Sequence, residues 1–240
     1  MKIEAGNLHF KTLNQMIKES DENEIEVHGL LGQRYIGSGM EPGKSLTLYG
    51  TPGNALGAYL NNSTITVYGN AQDAAGDTMD TGKIIVHGSS GDTTGYAMRG
   101  GEIYIRDNAG YRVGIHMKAY EKHFPVIVIG GKAGDFLGEY QAGGIIIVLG
   151  IDVDKDPVGH YCGTGMHGGS IFIRSKEPPK NLPAQVCCTE CTDEDLKQIE
   201  PYVREYGVNF GKNAEKLLHS KFYKLLPNSN NPYRQLYVQN

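Results

Sequence analysis

Three groups of residues in this chain have types and spacings that could do chemistry. Asp73, Asp92 and Asp135 each stand four residues after a glycine, with Asp77 nearby. Carboxylates gathered on one face could bind calcium or cleave a polysaccharide. Like charges in a column repel, however, and aspartate at a turn is equally explained by bonds to its own backbone. Cys187, Cys188 and Cys191 form the second group, in VCCTEC. A Cys-x-x-Cys pair is half of a zinc or cluster site, and only Cys162, His160 or His167 could complete it. The competing reading is free thiols. The third group is His116, Lys118, Lys122 and His123, in RVGIHMKAYEKHFP. A cationic loop projecting from a scaffold is a candidate partner contact, or a solvated surface.

Other motifs carry less. Asp152, Asp154 and Asp156 alternate as in calcium loops, but the glycine and distal glutamate of an EF-hand are missing. The glycine-rich RYIGSGMEPGKS does not match a phosphate-binding loop, and no GxSxG or HExxH is present. All four cysteines lie at position 162 or later, so none is an N-terminal nucleophile. No catalytic residue and no cofactor-binding residue is assigned to this chain.

These residues are positioned by a repeat. Apolar pairs recur at Ile25/Val27, Leu46/Leu48, Ile65/Val67, Ile84/Val86, Ile103/Ile105, Ile127/Ile129, Ile146/Val148 and Ile171/Ile173. The basic step is 19 residues, lengthened around HMKAYEKHFP and IDVDKDPVGHYCGTG. A fixed period of this length marks a stacked architecture. The alternation within each pair is that of a strand, and no repeat has room for a capped helix. One strand per repeat leaves a parallel β-helix of about seven coils, roughly 30–35 Å long. Gly57, Gly76, Gly95, Gly114 and Gly138 recur at one height and are read as corners where positive φ and close approach exclude a side chain. Leu60, Met79, Met98, Met117 and Met166 form a second column, expected to stack inside the rod.

Residues 1–22 read as a strand–helix cap, with Thr12 as the helix N-cap and Leu13, Met16 and Ile17 on one face. Residues 23–175 are the coils, and 176–240 a proline-rich linker with a helical extension. Thr192 caps its first helix, and Pro201 implies a kink or break. A second helix is expected from Asn213, then an extended tail ending PYRQLYVQN. The net charge of −4 gives no reason to expect a nucleic-acid partner. With no secretory leader and no apolar run of membrane-spanning length, a cytoplasmic protein is expected.

The paired glycines Gly100-Gly101, Gly143-Gly144 and Gly168-Gly169, with the coil strings, resemble the GXGXG repeat domain. That domain is the C-terminal β-helix of the glutamate synthase large subunit, and it also occurs in one of the chains of formylmethanofuran dehydrogenase. NAQDAAGDTM, AGYRVGIHMKAY, GGKAGDFLGEY, CGTGMHGGSIFIR, PYVREYGVNFG and KLLPNSNNPYRQLY are most similar to the free-standing glutamate synthase domain 3. The resemblance implies a right-handed parallel β-helix acting as a non-catalytic scaffold. Its partners would be amidotransferase and FMN synthase subunits, which would carry the flavin and iron–sulfur cluster. The rod could also pair with a second copy. The alternative is a self-contained β-helix enzyme or binding protein for carbohydrate or polyanion, working through Asp73, Asp92 and Asp135.

Overall fold

A computed structural model describes residues 1–228. The tail segment PYRQLYVQN lies outside the described residues. Eight strands form the body of the protein: β2 (Glu24–Leu31), β3 (Ser45–Thr51), β4 (Thr64–Tyr68), β5 (Lys83–Val86), β6 (Glu102–Ile105), β7 (Val126–Ile129), β8 (Ala142–Val148) and β9 (Gly168–Arg174). Each pairs in parallel with the next, so the chain winds as a β-solenoid of about seven turns. The apolar pairs are in register throughout, from Ile25 opposite Leu46 to Ile146 opposite Ile171. A second, narrower wall is made by single parallel bridges linking Ala71, Ser90, Ala109, Ala133 and Val158.

The interior follows from the inward side chains. Every member of the eight pairs is buried, as are Leu60, Met79, Met98, Met117 and Met166. The column has one interruption, because Gln141 occupies the equivalent place in its coil and is fully buried. The reason lies in the adjacent ladder. Ala142 pairs with Gly168 but Ile145 with Ser170, so a bulge falls at Gly143 and Gly144. The Gln141 amide donates to both of their carbonyls, at 3.2 and 3.1 Å, which meets the demand that buried backbone acceptors be paired.

Both ends are covered. β1 (Lys2–Glu4) adds in parallel to β2, and α1 (Phe10–Glu19) inserts Leu13 and Ile17 into the end of the core. The N-cap of α1 is His9, not Thr12: its ring nitrogen accepts from the Lys11 amide at 3.3 Å, and the helix begins two residues before Thr12. Met16 points outward and is exposed. At the other end the winding stops and the pairing reverses. β11 (Phe222–Pro227) runs antiparallel to β9, and β10 (Val186–Glu190) antiparallel to β11. The VCCTEC segment is thus mostly an edge strand.

Between those strands lie α2 (Asp193–Phe210) and α3 (Ala214–Leu218). Thr192 caps α2 in a reciprocal box with Asp195. The helix continues through Pro201 without the expected break. Pro201 is exposed, so the carbonyl deprived of its donor can turn to water. The inner face of α2 (Ile199, Val203 and Tyr206) packs on the outside of the solenoid against Tyr104, Val128, Ile147 and Phe172. No helix among the described residues is long and apolar enough to cross a membrane.

Candidate partner-binding surface

The turn opposite the sheet sets which side chains reach the surface. Gly76, at φ +70°, shows why its column is glycine: an added Cβ would collide with the δ-methyl of Ile103, across the rod. At Gly57 the same collision, with Ile84, comes at 2.8 Å. The glycine is only the centre of a wider pattern. The residues two before and two after it are also left-handed: Ala74 and Thr78 around Gly76, Arg112 and His116 around Gly114, Phe136 and Tyr140 around Gly138. Such backbone costs about 1–2 kcal/mol per non-glycine residue, which cross-coil hydrogen bonding must offset. These flanking columns leave no compositional trace, and the sequence reading missed them.

The flanking columns change character along the rod. The first opens with Tyr35, runs through the small residues Ala55, Ala74 and Thr93, and then becomes Arg112, Phe136 and Tyr161. In the later coils the Phe136 and Tyr161 rings stack at 5.0 Å, and the Arg112 guanidinium lies over Phe136 at 4.8 Å while its Nε donates to Glu139 at 2.9 Å. In the second column His116 stacks on Tyr140 at 5.1 Å and meets the edge of Tyr96. Tyr111, Tyr120 and Tyr161 are each more than half exposed. The C-terminal coils therefore present a rigid aromatic surface set with cations, of the composition that protein interfaces favour.

The cationic residues singled out in the sequence are not one cluster. Lys118 and Lys122 are exposed, and among the described residues neither has a carboxylate within 4 Å. His116 belongs to the aromatic stack. His123 is turned the other way, with Nδ1 2.9 Å from Asp80, which pins the first insertion to the coil two turns back.

The aspartate column has a different use from the one expected. Asp73, Asp92 and Asp135 do not bond their own turns. Each accepts a backbone N–H from the following coil, that of Asp92 at 2.9 Å, Tyr111 at 2.8 Å and His160 at 2.8 Å. Gly91, Gly110 and Gly159 leave the room these carboxylates occupy. The column is a set of cross-coil staples, spaced by glycines whose role the sequence reading did not separate from the corners.

The cysteines point to opposite sides. Cys188 packs against the interior core and Cys191 against the cluster under α2, while Cys187 is exposed. Burial pushes the Cys191 thiol up to about 12 and Cys162 likewise to about 12. Among the described residues no three His, Cys, Asp or Glu side chains converge as a metal site would require.

The outer face of the sheet is held shut by polar bonds. Lys83 bridges Glu205 of α2 at 2.8 Å and Glu102 at 3.3 Å, and the Tyr104 hydroxyl donates to Glu102 at 2.7 Å. The Tyr206 hydroxyl donates to the Arg106 carbonyl at 2.8 Å. Burial, with Glu102 alongside, raises the Tyr104 phenol well above its ordinary range. Burial likewise raises that of Tyr206. Both phenols therefore stay protonated as donors.

Three comparisons bear on this architecture. A model of the GXGXG motif family matches residues 18–229. An uncharacterized protein of Methanocaldococcus jannaschii is 45% identical over 250 residues, covering 98% of this chain and 95% of that protein. Among solved structures, a chain of the formyltransferase/hydrolase complex of Methylorubrum extorquens, determined with methylofuran, superposes with a TM-score of 0.68 at 20% identity. The match covers 91% of this chain and 87% of that one, and it shows a common fold. With the in-register glycine coils and a family match spanning most of its length, the chain belongs to the GXGXG motif family.

Proposed function

We propose that this protein is a non-catalytic subunit of a glutamate synthase-type complex, which makes glutamate from glutamine and 2-oxoglutarate. Its partners are an amidotransferase chain and a flavin synthase chain. Those chains hold the FMN and the iron–sulfur cluster, and this one holds neither. The observation that carries the reading is the uncovered aromatic surface of the C-terminal coils. Tyr111, Arg112, His116, Lys118 and Tyr120 all fall within GYRVGIHMKAY, the segment whose resemblance favours glutamate synthase. Stacked rings on a rigid rod lose little entropy on docking and suit a permanent contact between chains. The aspartate column supports the same reading, since its carboxylates are engaged by backbone.

The experiment is recovery of the tagged protein from its native host, identification of what accompanies it, and assay of glutamine-dependent glutamate formation. Reversing Lys118 and Lys122 together to Glu should reduce recovered partner several-fold with an unchanged circular dichroism spectrum. Isolation of the chain alone with bound flavin would overturn the reading. So would polysaccharide cleavage lost on Asp92→Asn. The structural neighbour supports a second reading, a subunit of a formyltransferase/hydrolase-type complex. The same recovery separates the two by which chains come with it.

A further inference from the structure

A cleft at the C-terminal end of the rod is independent of that surface. The second insertion, the end of β9, the connector after it and the Ser220–Lys221 turn enclose about 660 Å³, within the range of small-molecule sites. Arg174, the last residue of β9, lines it. One arm of its guanidinium is committed: Nη1 donates to the Leu149 carbonyl at 2.6 Å and more weakly to that of Gly150 at 3.4 Å. Its Nε is buried and meets no acceptor. Among the described residues no carboxylate lies within 4 Å of it, and Asp152 acts only from farther off. Burial accordingly pulls its pKa down. A partly desolvated guanidinium without a counter-ion is costly, and a planar guanidinium is the group that best binds a carboxylate or phosphate.

Two exposed lysines of the same cleft, Lys155 and Lys176, also lack a carboxylate within 4 Å. On the rim, Lys180 approaches Glu177 at 3.9 Å and Lys221 pairs with Glu190 at 2.8 Å. Asp154, Asp156 and Glu177 line the cleft as well. Their opposing charge disfavours an extended polyanion and favours a ligand with one compact anionic group. We infer that this cleft binds a small molecule through a phosphate or carboxylate group, held by Arg174 with Lys155 and Lys176.

The test is calorimetry and thermal unfolding of the purified full chain with inorganic phosphate, pyrophosphate or citrate, against sodium chloride at equal ionic strength. One saturable site is expected, with the unfolding midpoint raised by roughly 3–6 °C at about ten times Kd. Whether the phosphates or citrate bind tighter identifies the anionic group. Lys155→Glu with Lys176→Glu, both on the surface, should leave the fold intact and weaken binding at least about tenfold. Arg174→Lys, which keeps the charge but not the fork, should weaken it comparably. No effect beyond the chloride control, or undiminished binding in the double variant, would overturn the assignment.

Discussion

In strands β2, β3 and β4 the central outward residues are Glu26, Thr47 and Thr66, all at least partly open to water. In β6, β7, β8 and β9 the same position holds Tyr104, Val128, Ile147 and Phe172, all buried beneath α2. After Tyr35, the first turn column changes at about the same height, from Ala55, Ala74 and Thr93 to Arg112, Phe136 and Tyr161. The interiors of the two halves, by contrast, are made alike from isoleucine, valine, leucine and methionine. The coil is therefore specified from inside, by inward side chains and corner glycines, while the exterior is free to acquire contacts. In the C-terminal half one outer face is covered by the chain's own helix and the turn face carries the stacked rings uncovered.

That contrast can be broken most severely on the sheet face. Ile147→Asp buries a charge with no partner and should cost more than about 4 kcal/mol, whereas Thr66→Asp at the equivalent position should stay within about 1 kcal/mol. Urea midpoints of the two variants measure the difference, and equal midpoints would erase the distinction between the halves. The corners should show no such asymmetry. Gly76→Val and Gly114→Val each place a branched side chain at positive φ against an isoleucine δ-methyl, and each should cost about 2–4 kcal/mol. A large disparity between them would mean that the interiors are not equivalent. A smaller effect than at the corners is expected at Gln141. Methionine there would complete the apolar column but would strip the Gly143 and Gly144 carbonyls of their donor, a loss of about 1–3 kcal/mol. A stabilised Gln141→Met variant would show that the bulge does not require the amide.

The interior was legible because each coil repeats the same demand at the same spacing. Ile65, Ile84 and Ile103 announce a strand, and Gly76 and Gly95 announce a corner. The docking side of α2 was not read from the chain, although TITV gives way to KIIV, EIYI and VIVI, a loss of alternation that signals a sheet buried on both faces. Other features left no such mark. Ala74, Thr78 and His116 adopt left-handed backbone that their residue types do not advertise. The antiparallel closure by β10 and β11 depends on a return from residues far along the chain. The Arg174 cleft joins three separate segments, and no local spacing could have assembled it.

If the uncovered aromatic face is the proposed docking surface, the protein should work as part of a larger assembly. Native mass spectrometry of the protein gently purified from its own host tests that directly. The expected result is a particle containing at least one different chain, at fixed stoichiometry, that survives dilution into volatile buffer. A mass of 26.2 kDa, or a simple multiple of it with no other polypeptide, would contradict the account.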